Sequence, residues 1–587
     1  MGDRYYSNER NVQILISLLK AHNIRKVVAS PGTTNLSLVV SMMYDSWFEI
    51  YSSVDERSAA YMACGLAAES GEPVVLSCTG ATASRNYIPA MTEAYYRKLP
   101  ILAVTSTQDI VRVGHLVPQV IDRSVQIADT YILSEHIDVS DNENKAWDAN
   151  VKINRALLEL RHHGGGPIHL NFTTQYSRDY SVKELPQERV IRRITLFDEY
   201  PSLPLGKIAI FVGAHNRFTS NQVKAIDSFC AAHDAVVFCD HTSGYYGRYR
   251  IQMALINSQK SSFDLSKVDL LIHIGEVSGD YEGMCIRANQ VWRVSEDGHI
   301  KDHWRKLVCV FEMPEEIFFE KYTPKMYDVK DKFINESRDL YEYIKSQIPD
   351  LPFSNTWIAQ QTAHRIPSNS VLHLGILNTL RNWNFFELSS DVESFCNTGG
   401  FGIDGIVSTF IGSSLANKNQ LHFLVVGDLA FFYDMNVVGN RHVGRNVRIL
   451  LVNNGKGTEF RNYNHPGAAF GNDADAYIAA GGHFGNKSPL LVKHYAEDLG
   501  FEYLTASTKE EFLANLDRFT SSNLTDKPLI FEVFTNHEDE SEALRLMSNI
   551  VVDTIDTKTL VKKKLVGVVK KVVGESGVKV IRSVLKK

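Results

Sequence analysis

Asp428 and Asn454, 26 positions apart, carry the side chains of this chain whose types and spacing most plainly point to shared chemistry. An apolar run at 423–426 precedes Gly427-Asp428, and a second at 449–452 precedes Asn453-Asn454. Runs of that length bounded by polar turns read as buried strands. In a parallel sheet, adjacent strands present their carboxyl ends at one edge, where ligands bind. A carboxylate and a carboxamide brought together there are hard oxygen donors, suited to Mg²⁺ carried by a diphosphate. The stretch 397–416, NTGGFGIDGIVSTFIGSSLA, places glycines before a helix, where backbone amides can cradle a phosphate. Another acid, Glu56, sits where a strand becomes a helix. Taken alone, Asp428 and Asn454 also fit two ordinary strand ends with turn-forming residues.

The elements that must position these residues alternate between strand and helix. Residues 7–22 carry a helix pattern, with Ser7 as a cap and Val12, Leu15, Ile16 and Leu19 on one face. Strands at 26–29, 50–54, 74–78 and 101–105 follow. The first three lead into SPGTTN, Asp55-Glu56-Arg57 and TGATASRNY. The piece 164–172 closes a first unit, with His169 read as a strand residue rather than a ligand. Residues 180–205 read as a linker. A second α/β unit has strands at 208–212, 235–238 and 270–274; Gly213 and Gly275 end two of them, but no GxGxxG follows, so they read as turn glycines. A charged helical bridge at 313–355 leads to a third unit with a first strand at 371–374, a helix at 490–500 and a last strand at 528–535. The expected fold class is α/β: three doubly wound parallel-sheet domains at 1–180, 200–345 and 355–550, then a basic tail at 551–587. The tail interleaves Lys and Arg with Val, Leu and Ile from Lys558 onward. It reads either as an amphipathic segment for peripheral membrane or protein contact, or as a terminal helix packed on the body.

Composition narrows the class. A chain of 587 residues holds about three or four domains by the length prior. Its 44% hydrophobic and 22% charged residues are those of a soluble globular protein. A net charge of −6 argues against a nucleic-acid partner. Seven scattered cysteines without a CxxC fit a reducing compartment. The polar N-terminus lacks a signal-peptide core, and no apolar run reaches membrane-span length, so a cytoplasmic location is expected.

Together, Glu56, the three α/β units and the GD…NN pair resemble the thiamine-diphosphate (ThDP)-dependent decarboxylase and acetolactate-synthase superfamily, up to about residue 550. VDERSAAYMACGLA resembles its catalytic-glutamate segment, and GPIHLN its GPVHLN. The resemblance implies pyrimidine-binding, central and diphosphate-binding domains, in that order, and the cofactors ThDP and Mg²⁺. It also implies a homodimer or homotetramer, because the pyrimidine and diphosphate domains of that family pair across subunits. GIDGIVST (402–409), GDLAFFYDMN and SPGTTNLSL are most similar to the menaquinone-pathway synthase branch, which adds decarboxylated 2-oxoglutarate to isochorismate.

Residue roles follow from that resemblance. Glu56 would hydrogen-bond the cofactor's pyrimidine and favour the imino tautomer that takes the thiazolium C2 proton. Ile403 would lie beneath the bent cofactor, and Gln119 would face the reacting carbon. Asp428, Asn454 and the Lys456 carbonyl would hold Mg²⁺; Thr79, Gly402, Asp404, Gly427 and Leu429 complete the expected cofactor contacts. The substrate positions depart from the branch. Thr34 and Thr398 stand where it has carboxylate-binding arginines, and threonine does not replace a bidentate guanidinium. Arg381 is expected to stand in for a third arginine, while Asn86 and Arg85 are candidates to reach substrate. His465 and His483 read as surface residues, with proton relay as the alternative. The expected activity is decarboxylation of a 2-oxo acid and transfer of the acyl carbanion to a carbonyl or alkene acceptor. The alternatives are a simple decarboxylase releasing an aldehyde and a FAD-containing acetolactate-synthase-like enzyme. A non-catalytic ThDP-binding scaffold is disfavoured by the joint presence of Glu56, Asp428 and Asn454.

Overall fold

The structure, a computed structural model, describes residues 4–259, 263–482 and 487–551. His483 and the expected basic tail beyond Val551 lie outside the described residues. The chain forms two compact units, one running to Glu199 and including Asp297–Glu312, the other made of Tyr200–Glu296 and the remainder from Met313. Among the described residues no helix is long and apolar enough to cross a membrane. All seven cysteines are unpaired.

The first unit is built on a six-stranded parallel sheet in the order Glu49–Ser52, Lys26–Ala29, Val74–Thr79, Ile101–Thr107, Ile168–Thr173, Leu133–Ile137. Every residue of Ile101–Thr107 is buried, as helices on both faces of a parallel sheet require. Helix Glu56–Ser70 lays Ala59, Ala60, Ala63 and Ala67 inward, and these small side chains allow close approach to the sheet. Asp55 caps it by accepting from the Ser58 amide at 2.7 Å, so Glu56 opens the first turn. The N-terminal helix begins later than expected, at Arg10, with Glu9 at its cap. The Ser7 hydroxyl instead accepts from the Glu9 amide at 3.2 Å. The expected linker contains a strand, Arg192–Ile194, that pairs in parallel with Leu307–Phe311. Asp302 ties the same segment down, accepting from Trp147 Nε1 at 2.9 Å and pairing with Arg189 at 2.6 Å.

The second unit holds two further parallel sheets. In one, the strands run Arg250–Gln252, Val236–Cys239, Ile208–Val212, Lys267–Ile274, Arg287–Val294. Two of these strands have no long apolar run: Arg250–Gln252 is three residues long, and the first half of Arg287–Val294 is largely polar and partly exposed. The other sheet runs Glu393–Phe395, Val371–Leu374, His422–Gly427, Val447–Asn453, Leu529–Phe534, Glu502–Ala506. In chain order this is 2-1-3-4-6-5, the same winding as the sheet of the first unit. Each sheet therefore has one switch point, between its first and third strands, where a doubly wound fold opens a crevice at the carboxyl edge.

Candidate active site

In the second unit the switch point lies between Val371–Leu374 and His422–Gly427. The Gly375 amide bonds to the Val425 carbonyl at 2.8 Å, and the two chain ends then diverge around a cleft. Gly427 is level with Val452 on the neighbouring strand, so Asp428 and Asn454 emerge side by side. Both line the cleft, as do Gly427, Leu429, Ile403 and Lys456. These six expected residues, distant in sequence, are thus brought together.

Asp428 is buried, and its carboxylate accepts from the Gly455 amide at 2.8 Å. Burial pushes its pKa up to about 7, against the pull of the Leu429 and Gly455 amides. Asn454 donates its Nδ2 to Thr458 Oγ1 at 3.3 Å. Its Oδ1 is buried and has no hydrogen-bond partner among the described residues. An orphaned buried acceptor costs about 1–3 kcal/mol. A divalent cation held by this oxygen and the Asp428 carboxylate removes that cost and neutralises the acid, so the donor set fits Mg²⁺. The Lys456 ammonium is directed to Asp475 at 2.7 Å, which leaves a metal role only to its backbone carbonyl. Upstream, Asp404 is exposed and folds its carboxylate over Gly402, where a Cβ would come 2.4 Å from Asp404 Oδ1. Gly405, at φ 73°, then starts helix Ile406–Ala416.

The expected substrate residues of this unit are less free. Arg381 grips Glu459 through both guanidinium ends, at 2.6 and 2.8 Å, with about four-fifths of each side chain buried. The arginine expected to meet a substrate carboxylate is therefore already held by a carboxylate of its own chain. Thr398 is buried, and its Cγ2 faces Gly279, where a Cβ would stand 3.4 Å away. His465 accepts from the Gly467 amide at 2.9 Å and caps a short helix, which gives it a structural task.

In the first unit, Glu56 is partly exposed at the start of its helix. Thr34 is buried, and its hydroxyl bonds to Thr79 Oγ1 and to the Ser106 carbonyl at 2.8 Å. The Thr34 hydroxyl is thus engaged inside the unit, where it stitches three strand ends. Gln119 is exposed, with a left-handed backbone at φ 64°. Asn86 is exposed on the short helix Thr82–Asn86, and Arg85 donates to the Asp122 carbonyl at 2.9 Å. His169 is a buried strand residue bonded to Thr105 and Ser134.

One residue of this edge went unread in the sequence. Arg123 is 4% exposed and donates Nη2 to Asn171 Oδ1 at 2.6 Å, while Nε and Nη1 find no partner among the described residues. The guanidinium lies over Gly80, just past Val74–Thr79, and a Cβ there would stand 3.3 Å from it. Burial lowers its pKa to about 10. The Ser106 hydroxyl is likewise buried without a partner. Nothing in the local pattern of a polar loop marks one arginine as buried.

The sequence has counterparts among known proteins. The family described as "Thiamine pyrophosphate enzyme, N-terminal TPP binding domain" matches residues 10–127. A 2-succinyl-5-enolpyruvyl-6-hydroxy-3-cyclohexene-1-carboxylate synthase of Phocaeicola vulgatus is 30% identical over 557 residues, covering 92% of this chain and 98% of that one. The protein of the same name from Bacteroides thetaiotaomicron is 29% identical over 566 residues, with the same coverage. Among solved structures, the Rhodococcus jostii RHA1 thiamine diphosphate-dependent 4-hydroxybenzoylformate decarboxylase matches 90% of this chain and 99% of its own at 15% identity, with a TM-score of 0.37. The chain belongs to the thiamine-diphosphate-dependent enzymes, in the family of the 2-succinyl-5-enolpyruvyl-6-hydroxy-3-cyclohexene-1-carboxylate synthases.

Proposed function

We propose that this enzyme uses ThDP and Mg²⁺ to decarboxylate a 2-oxo acid and transfer the acyl unit to a carbonyl or alkene acceptor, forming a C–C bond. The observation that carries this reading is the buried Asp428 carboxylate beside the orphaned Oδ1 of Asn454. When bound, ThDP supplies an acidic carbon and an electron sink for the carbanion left by loss of CO₂. Asp428, Asn454 and the Lys456 carbonyl would hold the metal, and Ile403 and Leu429 line the same cleft. Gly427 lines the cleft too, and Gly402, Asp404 and Thr79 would complete the cofactor contacts. Glu56 holds a proton at a ring nitrogen of the cofactor through its carboxylate. Gln119 orients the reacting carbonyl.

The relatives are named as synthases of one particular cyclohexene carboxylate, but the donor and acceptor here are proposed to differ. Thr34 and Thr398 are buried and offer no positive charge. Cations at the edge of the first sheet include Arg85 and the half-satisfied Arg123, which supports a carboxylate-bearing donor. We place the enzyme in the cytoplasm as a homodimer or homotetramer, in which Glu56 of one subunit meets the metal cleft of another.

The test is a panel of 2-oxo acids with CO₂ detection, run with ThDP and Mg²⁺, with and without aldehyde, ketone and alkene acceptors. The expected result is CO₂ release with a new C–C bond in one acceptor arm. No CO₂ from any donor, with ThDP shown bound, overturns the reading. Aldehyde as the sole product replaces it with simple decarboxylation. A flavin absorbance band in the purified protein would point to the FAD-containing alternative.

A further inference from the structure

Far in sequence from every residue assigned above, the first unit gathers two histidines and a glutamate. Helix Glu143–Glu159 ends at Leu160, and the chain turns through His162–Gly164. His163 takes a left-handed backbone at φ 50°, ψ 38°. Two consecutive side chains, which would diverge along a strand or helix, therefore lie against each other, with ring centroids 3.9 Å apart. Both reach one carboxylate: His162 Nε2 stands 2.9 Å from Glu312 Oε2, and His163 Nε2 stands 3.0 Å from Glu312 Oε1. The three potential ligand atoms lie within 4.8 Å of one another.

We propose that His162, His163 and Glu312 form a binding site for a divalent transition metal of the zinc type. Imidazole nitrogen and carboxylate oxygen are ligands that Zn²⁺ takes at about 2.0–2.2 Å, so a modest opening of the present contacts admits the ion. The surroundings are those of a metal site. His162 Nδ1 is 2.9 Å from Glu159 Oε2, and the other oxygen of Glu159 accepts from Arg193 Nη2 at 2.7 Å. A carboxylate on Nδ1 fixes the tautomer with its proton there and aims the Nε2 lone pair outward, the arrangement usual behind a ligating histidine. That lone pair faces the Glu312 oxygen, so a positive species belongs between them. With both histidines neutral, Glu159, Glu312 and Arg193 sum to one negative charge, which favours a cation. Arg193 Nε, 3.7 Å from Glu312 Oε2, donates to the Gly298 carbonyl at 3.2 Å. The His163 side chain is 74% exposed, so the remaining coordination positions open to solvent. Such an ion ties the turn after Glu143–Glu159 to the residue just past strand Leu307–Phe311, joining two segments of the first unit that are 150 positions apart in sequence.

The test uses the full chain, stripped of metal by chelation and free of ThDP, titrated with Co²⁺ alone and followed by visible absorbance, then displaced with Zn²⁺. The expected result includes a 1:1 component with nitrogen and oxygen ligation that His163→Ala and Glu312→Gln each weaken by on the order of a hundredfold, with a metal-dependent rise in Tm lost in both. His163→Ala alters an exposed side chain and is expected to fold and keep its ThDP-dependent activity. Asp428→Ala, which removes the other cation site, is expected to leave this component intact. Titrations identical in wild type and His163→Ala, or no component beyond the one Asp428→Ala removes, overturn the proposal and leave the cluster a protonated ion pair.

Discussion

Glu459→Gln removes the charge that holds Arg381 while keeping the shape of its partner. Arg381 and Glu459 make two charge-assisted hydrogen bonds, with side chains only 17% and 19% exposed. Breaking a buried pair from one side costs about 3–5 kcal/mol, because the remaining charge is stranded. Two features lower that figure here. Glutamine keeps one acceptor, and Glu282 and Asp280 also favour the Arg381 charge. The expected loss is therefore about 2–3 kcal/mol for Glu459→Gln. Arg381→Met, which leaves Glu459 without its cation, is expected to lose about the same. The double variant removes both charges and should cost less than the sum, giving a coupling energy of about 2 kcal/mol. Urea denaturation of the ligand-free protein measures all three. The KM for the 2-oxo acid adds a second readout. Freeing Arg381 in Glu459→Gln should lower the KM of an anionic donor if the guanidinium faces substrate, and leave it unchanged if the pair only braces the cleft wall. Additive stability losses would refute the coupling, and with it the view that this arginine is committed to its own chain.

Glu56→Gln is expected to cut kcat by roughly 10²–10⁴-fold while ThDP and Mg²⁺ still bind, since the proton it holds is lost and the cleft is not touched; full activity refutes the role. Asn454→Ala should abolish the stabilisation that ThDP with Mg²⁺ confers on the wild type, about 2.7 kcal/mol at a ligand concentration 100 times Kd, read as a lost Tm shift. Burial holds the pKa of both His169 and His241 down to about 3, so each binds fewer protons when folded than when unfolded between that value and about 6.5. Stability is then full above pH 6.5 and falls as the pH drops toward 3, by about 2 kcal/mol per histidine at pH 5, checked by denaturation at pH 7.5 and pH 5. Arg123→Met should leave stability within about 1 kcal/mol of wild type or raise it, because a buried unpaired charge gives way to an apolar chain, while the KM of a carboxylate donor rises.

Local pattern was sufficient for much of this protein. Apolar runs closed by polar turns placed the strands at 26–29, 74–79, 422–427 and 447–453 close to their observed bounds. Asp428 and Asn454 were legible because both follow such runs directly, and neighbouring parallel strands deliver their ends to one edge. Strands without an apolar run were not legible: Arg287–Val294 begins polar, and Leu133–Ile137 carries Ser134, Glu135 and His136. Remote partners of turn residues were not legible either: the Thr34 hydroxyl bonds to Thr79 and to the Ser106 carbonyl, 72 positions on. Arg381 meets Glu459 across 78 positions, Arg123 meets Asn171 across 48, and His162 meets Glu312 across 150. By itself, then, the sequence determined the α/β class with its parallel sheets, because that depends on periodicity, and the thiamine-diphosphate family, because its motifs at strand ends resemble that family's. Which charges are free to meet a substrate was decided only by the tertiary structure, because a side chain's charge is neutralised by whatever the fold brings beside it, and distance along the chain carries no record of that.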